Sequence, residues 1–560
     1  MLTASVRSQC LALLIAAVTA TLFWSATRFQ WLLYWDDGAH LHWNEAYKGF
    51  SPTHLRWFFT PFLGQFMPLT WASWALDFKL FGLDPVAFHR TNVLLHAVNA
   101  GLLFLVAHRL LTVALPRVPG VSVWPHRLTA GAAFAALLWA LHPMRVESVA
   151  WVNERRDVLC GLFYLLAVLT YLIAVAEGRI DRLLRAGSVQ ELRFAAFEKF
   201  LGPSTAPTNR KWLTLSVVCF ACAVLSKALA VTLPVVLLLL DYYPLRRRAF
   251  MEKVPYVVIS AVGVVMAFVA LAGMQVIAPL HWISLEDRVL IAAYSWWFYI
   301  ATTVWPAGLS PLYELTFKPH LFEWRYVTAV AGVSVWTWLA VRGWRIGQPA
   351  WLVAWLAYVV AILPVTGVVQ NGYQLVALRY SYLSILPLVI LAGGGVAIAL
   401  DRATARPRTA GLVLASLVLG GLAVATTRYL PVFHDGIAFW TRAVRTEPSC
   451  VACADMLVHQ AGGLAPAQRE LEAVVAAHPD LQEQRWHLGM VAYMRAHGAE
   501  GEGHFREYIR QAEARDPGYI PRIEVGRQNH LALARHVLRG PQVTDPNVFD
   551  GTVRGLVPRP

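Results

Sequence analysis

The chain has 560 residues, of which 57% are hydrophobic, 12% aromatic and only 15% charged. With a mean hydropathy of +0.49, this composition excludes an ordinary soluble domain and indicates a polytopic membrane protein. The formal charge of +14 would suit a nucleic-acid binder, but residues 429–560 carry 14 basic and 15 acidic side chains, so the surplus lies in the apolar half; it reads as a positive-inside signal, and nucleic acid is excluded as a partner.

The first apolar run, residues 10–24, follows Arg7 and leads into Phe29, Trp31, Tyr34 and Trp35 with no small-residue cleavage site. It reads as an uncleaved first span with the amino terminus inside. Residues 31–90 form a long outside loop, interrupted too often by Asp36, Lys48, Arg56, Asp77, Lys79 and Asp84 to cross a bilayer. Its segment PFLGQFMPLTWASW predicts an amphipathic helix lying on the membrane surface. Alternating runs follow at 91–111, 128–141, 158–175, 212–225, 228–243 and 254–277. Between them, loop 177–211 carries seven basic residues and Arg246, Arg247 and Arg248 close another run, so both mark inside ends. Residues 289–305 predict an interfacial or re-entrant helix within an outside loop at 278–325, because counting them as a span would put Arg342 and Arg345 on the wrong face. Runs at 326–341, 351–366, 382–400 and 410–427 complete about eleven spans. The expected fold is an all-α polytopic bundle over residues 1–428 with an outside carboxyl terminus.

From residue 429 the chain changes character. Three segments end or begin helices around Pro448, Pro479 and Pro517, prolines 31 and 38 residues apart, and Trp486, Leu488, Gly489 and Tyr493 fit the first helix of a tetratricopeptide repeat. Residues 429–540 are therefore expected to form a small TPR-like helical domain that leans on the membrane half, and residues 541–560, rich in proline, to be poorly ordered. Cys450 and Cys453 lie in this outside segment and form a possible disulfide. No second ligand pair accompanies them, so a structural zinc site is not expected.

The chemistry concentrates in one stretch. HPMRVESVAWVNERRDVLCGLF, residues 142–163, places three carboxylates (Glu147, Glu154, Asp157) and three guanidiniums (Arg145, Arg155, Arg156) between two apolar runs. So many charges at a bilayer junction imply a wet cavity at one face. The alternative is a set of interfacial ion pairs. Asp36 and Asp37, on the same side, supply candidate catalytic carboxylates, because a carboxylate against an aromatic wall can take a hydroxyl proton. Arg155, Arg156, Lys227 and Arg379 are candidates to hold an anionic phosphate. Competing assignments are a capping role for the Asp pair, a snorkelling Lys227 and a topological anchor in Arg379. Phosphate-loop, dinucleotide, HExxH and GxSxG motifs are missing from the sequence.

These segments, in this order, carry a resemblance. Asp36-Asp37 after the first span, PLTWASWALDFKLFGLDPVAFHRTNVLLHAVNA, HPMRVESVAWVNERRDVLCGLF, LSKALAVTLPVVLLLLDYYPL, LSPLYEL and LPVTGVVQNGYQLVALRYSYL, followed by helical repeats, resemble the GT-C glycosyltransferase superfamily. Within it they are most similar to the TMTC family of transmembrane, tetratricopeptide-containing O-mannosyltransferase-like proteins and its bacterial relatives. The resemblance implies transfer of a hexose such as mannose from a polyprenyl-phosphate donor to a protein or surface-glycan hydroxyl on the extracytoplasmic side of the plasma membrane. It assigns Asp36 as base with Asp37 as second acid, Arg155, Arg156, Lys227 and Arg379 to the donor phosphate, and His142, Arg145, Glu147, Asp157, Tyr380 and Tyr382 to sugar or acceptor contacts or their support. No cofactor is required by such a displacement; a divalent metal held by Asp36 and Asp37 is the variant. One departure is Leu378, where the family segment reads Ala-Asp-Arg-Tyr, which implies altered specificity or reduced activity. The other function classes are a non-enzymatic scaffold built on the tail and a polyprenyl-phosphate transporter, which would need an equivalent charged cavity on the inner face; the sequence shows no such cluster.

Overall fold

The structure is a computed structural model that describes residues 4–118, 121, 124–185, 208–274, 277–369, 372, 374–460 and 462–539. Most of the expected inside loop 177–211 and all of the tail 541–560 lie outside the described residues. After α1 (Ala4–Phe23), the helices α2 (Pro52–Phe58), α3 (Pro68–Phe81), α4 (Pro85–Ala114) and α5 (Pro125–Ala140) all start on proline, where the missing N–H has no intrahelical partner to lose. Ser51 and Asp84 cap α2 and α4 by accepting from the backbone N–H groups of His54 and Val86. Gly82, at φ +68°, ends α3 in the left-handed region. The bundle continues through α6 (Val146–Ala150), α7 (Arg155–Arg185), α8 (Arg210–Ser226), α9 (Leu233–Leu240), α10 (Val254–Ala272), α11 (Leu285–Val304), α12 (Trp324–Arg345) and α13 (Ala350–Ile362). A two-stranded antiparallel ribbon, β1 (Tyr313–Glu314) and β2 (Gln374–Val376), pairs Tyr313 with Val376 and Glu314 with Gln374. Then come α14 (Ser381–Ser384), α15 (Leu386–Arg402) and α16 (Ala405–Tyr429).

The all-α polytopic fold is as expected; the count of eleven spans is not confirmed. Among the described residues six helical segments have the length and composition to cross a membrane: Val6–Arg28, Pro85–Arg117, Val152–Val175, Ala228–Leu245, Phe250–Ala272 and Ala405–Phe433. Leu378–Ser384 with Leu386–Arg402, bent by 61°, makes a seventh if counted as one. Of the other expected spans, α5 has 16 residues, α8 has 17 and α13 has 13, against about 20 for a bilayer core, while α12 has 22 residues but is not among the candidates. The expected interfacial helix is α11, a 20-residue helix opened by a Ser284–Asp287 capping box. It is held in the bundle by Tyr299, whose hydroxyl donates to the Ala377 carbonyl, and by its Trp296 carbonyl, which accepts from Tyr358.

Between α5 and α7 the chain is broken into short turns, which frees backbone groups inside the bundle. Such groups need partners, and a polar stripe on α4 supplies them. Asn92, His96 and Asn99, spaced i, i+4, i+7 on one face, meet the carbonyls of Trp151, Ala140 and Val158 at 3.1, 3.1 and 2.8 Å. Thr426 from α16 donates to Leu141 O. Elsewhere α5 and α15 cross at Gly131 and Gly393; a Cβ on either glycine would run into the other's backbone carbonyl, so only glycine permits this approach.

The loop helix α3 does not simply lie on a surface. It starts at Pro68 rather than Pro61, and it buries Trp71, Trp74 and Ala75 against Tyr47, Trp57 and Phe88 while exposing Leu76, Leu80 and Phe81. The helix thus joins an aromatic core to an exposed apolar edge.

The tail consists of α17 (Gly436–Thr446), α18 (Val451–His459), α19 (Leu464–Ala477), α20 (Gln482–Met494), α21 (Gly498–Ala514) and α22 (Pro521–Arg539). Consecutive helices pack as hairpins, and Gly489 lets Phe505 close on α20. The tail leans on the membrane half, as expected: its Trp440 meets Trp35 edge-on, Arg442 donates to Leu309 O, and Phe317 stacks on Tyr519. Cys450 and Cys453 are disulfide-bonded at the start of α18. Glu314 caps the same helix, accepting from the Val451 N–H at 2.6 Å.

Asp241, Lys253, Tyr171, Arg247 and Glu252 interlock at the end of the bundle remote from Asp36. Asp241 and Lys253 are both buried in this knot.

Candidate active site

Asp36 and Asp37 follow the turn that ends the first span and lead into a π-turn, Gly38–His42. Consecutive residues there point different ways. Asp37 turns inward, accepting from the backbone N–H groups of Leu32 at 2.9 Å and Asn153 at 3.1 Å. Burial nevertheless pushes its carboxyl up to about 7, with the neighbouring Asp36 charge adding to the rise. Asp36 turns outward, its side chain 38% exposed, accepting from Asn153 Nδ2 at 3.0 Å and lying 4.0 Å from Arg156. The two carboxylates therefore have separate jobs: Asp37 ties the loop to the 142–163 stretch, and Asp36 faces the accessible space.

Behind Asp36 the ion pairs radiate from one fully buried carboxylate, Glu154. Its Oε1 accepts from Arg156 at 2.6 and 3.1 Å and lies 3.1 Å from Arg379 Nε; its Oε2 accepts from Lys227 at 3.0 Å. Three cations on one acid leave donor capacity over. Lys227 uses part of it on Asp157 at 2.6 Å, and Arg379 on Glu147, which also accepts from the Arg379 backbone N–H. Arg156 reaches Gln65, and Arg379 reaches Gln374 on β2 at 2.5 Å. The side chains of Arg156, Lys227 and Arg379 keep 8, 15 and 8% exposure, so all three cations are largely enclosed. The wall beside them is aromatic: Trp151 under Arg379, Trp35 next to Trp151, and Trp440 of the tail against Trp35. Lys227 is itself the extended residue between α8 and the turn Ala228–Thr232.

Other residues singled out in the sequence sit elsewhere. Arg155 faces away from Arg156, fully enclosed, donating to Asp77 at 2.7 Å, Ser73 at 2.8 Å and the Phe88 carbonyl at 2.8 Å, and to Asn92; it anchors the outside loop to α7. His142 caps the turn Pro143–Arg145, its Nδ1 accepting from the Met144 N–H and its Nε2 donating to Thr303 O, and burial drives it down to about 3, so it is neutral. Arg145 lies between the rings of Trp139 and Tyr382 and donates to Ser381. Tyr382 is buried with its hydroxyl between His96 and Asn99. Tyr380 lies beneath the Arg379 guanidinium, 4.9 Å from it. Asp157, bonded to Lys227 and Ser148, and Glu147, whose carboxyl burial raises, form the acidic backing of the cations. Leu378 is fully buried in the core; Arg379 is oriented by Glu147, Glu154 and Gln374 instead, so an acid at 378 is not needed for that purpose. Among the described residues no group of three or more His, Cys, Asp or Glu is arranged to hold a metal ion.

Glu154 itself was not singled out as a site residue. The available signal was its place directly before two arginines at a membrane junction. Asn153, Gln65 and Gln374 carried none, since neutral amides read as ordinary loop residues.

Comparison with known proteins bears out the TMTC-like resemblance. The chain is 36% identical over 108 residues to protein O-mannosyl-transferase Tmtc1 of Drosophila melanogaster (19% of this chain, 11% of that protein). It is 36% identical over 114 residues to protein O-mannosyl-transferase TMTC4 of Mus musculus (20% and 15%), and 30% identical over 185 residues to protein O-mannosyl-transferase TMTC1 of Homo sapiens (33% and 17%). The chain thus spans less than a fifth of the length of these curated relatives. No family model matches it, and no solved structure matches it.

Proposed function

We propose that this TMTC-like chain is a GT-C type membrane glycosyltransferase that moves a hexose, mannose or a close relative, from a polyprenyl-phosphate donor to a protein hydroxyl on the extracytoplasmic face. One observation carries the reading: an accessible carboxylate, Asp36, stands 4.0 Å from the first of three cations gathered on a single buried acid. That is the layout a displacement at an anomeric carbon needs, with a proton acceptor on one side and anion stabilisation on the other.

The acceptor hydroxyl gives its proton to Asp36 as its oxygen forms the new bond to the anomeric carbon. The bond from that carbon to the phosphate oxygen breaks, its electron pair leaves with the phosphate, and the polyprenyl phosphate departs as an anion. Arg156, Lys227 and Arg379 receive that charge. Because Glu154 already holds them in place, they need little reorganisation, and in a site shielded from bulk water such preorganised donors act more strongly than in solution. Asp37 acts on the geometry, pinning the loop that carries Asp36. The docking of Trp440 and Glu314 puts the tail beside the site, which favours a polypeptide acceptor presented by its helical hairpins.

Purified protein in lipid nanodiscs, given polyprenyl-phosphate mannose labelled in the sugar and a Ser/Thr-rich acceptor extract, should transfer label to protein. Asp36→Asn should lower transfer by at least about a hundred-fold and leave the fold intact. Transfer undiminished by this substitution would refute the assignment.

A further inference from the structure

The turn that carries Asp36 also encloses an imidazole with an unused lone pair. His40, in the π-turn Gly38–His42, is 1% exposed, and its Nδ1 lies 3.1 Å from the Asp36 backbone carbonyl. A carbonyl can only accept, so the ring proton sits on Nδ1 and Nε2 is left as an acceptor. Nε2 is buried and has no hydrogen-bond partner among the described residues, a costly condition for a polar atom inside a protein. Burial holds the imidazole below the ordinary histidine range, so the ring is neutral at pH 7, and the charges acting on it are Asp36, Arg156 and Glu154 of the candidate site. Trp71 stacks on the ring and Phe62 meets it edge-on, each at 5.9 Å, with Trp57 against both. A single polar atom among aromatic walls is the make-up of a small-ligand pocket. One short turn reaches both the imidazole and the nearest cation: Phe62 and Gln65 close it by exchanging backbone hydrogen bonds at 2.9 and 3.0 Å, Phe62 packs on His40, and Gln65 accepts from Arg156. Leu63 at its tip has φ +45°, in the left-handed region that favours glycine, so the turn is held closed at a local cost.

We propose that His40 selects the sugar: when a donor phosphate takes the place of Gln65 on Arg156, the Phe62–Gln65 turn lifts and His40 Nε2 accepts a hydrogen bond from a hydroxyl of the hexose. The phosphodiester of such a donor has no proton to give, so the lone pair cannot be satisfied by the phosphate, and the acceptor hydroxyl is claimed by Asp36; the hydroxyls of the sugar remain. A site that leaves a buried acceptor unpaired when that hydroxyl is missing discriminates against the deoxy sugar. The hexose as ligand rests on the transferase reading, whereas the unpaired acceptor beside Asp36 does not.

The full-length protein in nanodiscs is titrated, without acceptor, with polyprenyl phosphate, polyprenyl-phosphate mannose and its monodeoxy analogues, and binding is read by tryptophan fluorescence. His40→Asn keeps a donor at the Nδ1 position for the Asp36 carbonyl and removes the Nε2 acceptor; it should weaken the mannosyl lipid about ten-fold and leave polyprenyl phosphate unchanged. His40→Gln restores an acceptor at the Nε2 position and loses the Nδ1 donor, and should stay within about three-fold of wild type. One monodeoxy donor should bind wild type about ten-fold more weakly than the parent, and His40→Asn no more weakly. Equal losses in His40→Asn and His40→Gln would assign His40 a purely structural role through Nδ1 and overturn the proposal. So would an equal loss of both lipids in His40→Asn, or an effect of His40→Asn confined to KM for the protein acceptor, which would give the hydroxyl to the acceptor. If wild type binds with these ratios but transfers no sugar, the transferase reading fails and this one stands.

Discussion

Replacing Glu154 by glutamine removes one negative charge and changes little in shape. Glu154 accepts from Arg156 at 2.6 and 3.1 Å and from Lys227 at 3.0 Å, and it lies 3.1 Å from Arg379 Nε. Breaking a single buried ion pair from one side costs about 3–5 kcal/mol, because the remaining charge is left uncompensated. Here Asp157 and Glu147 still balance Lys227 and Arg379, which leaves Arg156, whose other acid is Asp36 at 4.0 Å, to bear most of the loss. The expected destabilisation is therefore at the lower end, about 3 kcal/mol. An anion that lands among the three cations should return part of it, so ligand stabilisation should be larger in Glu154→Gln than in wild type. Thermal unfolding followed by tryptophan fluorescence, with and without polyprenyl phosphate, measures both quantities. A variant with unchanged Tm, or one whose Tm rises with the lipid by no more than wild type's does, would show that Glu154 does not organise an anion site.

Asp36→Asn should lower transfer by about 10²- to 10⁴-fold, the usual range for a general base, with Tm nearly unchanged, since the side chain is partly exposed; Asp37→Asn should instead lower Tm, because its oxygens hold two backbone N–H groups, and comparing the two melts separates the roles. Asp77→Asn leaves Arg155 buried without its partner carboxylate and should destabilise the chain by about 3–5 kcal/mol without changing KM for donor in variants that still fold. Burial pushes the Glu314 carboxyl from 4.5 to about 7, so the folded state favours its protonated form. Stability of the docked tail should then fall as pH rises from about 4.5 through about 7; hydrogen exchange at α18 should show this slope in wild type and not in Glu314→Gln. Trp440→Ala should loosen the wall beside Asp36 and raise KM for a protein acceptor more than it lowers kcat, as steady-state kinetics would show.

Much of the architecture is legible in the residues, because it is carried by strong local signals. Proline starts, the Ser51 and Asp84 caps and the Pro448, Pro479 and Pro517 turns all fall where the helices begin or end. The convergence of Asp36, Arg156, Lys227 and Arg379 was also readable, since four chemically matched groups each sat at the same end of an apolar run. What could not be read was direction. Neighbouring helical positions are rotated by about 100°, so Arg155 and Arg156 look alike in the chain but point to opposite sides, one to Asp77 and one to Glu154. The Asp36-Asp37 pair divides in the same way. His142 stands before a proline-started turn, and its capping role was available from that context alone. A count of eleven spans was not legible either, because apolarity alone does not distinguish a crossing from a short helix such as α5 or α8.

The most direct test of the central claim is an experimental structure with polyprenyl phosphate bound. The account expects the phosphate oxygens within about 3 Å of Arg156, Lys227 or Arg379 nitrogens, with Asp36 facing the open side of the headgroup. A phosphate resolved away from these three cations, with the Glu154 cluster closed to the lipid, would contradict it.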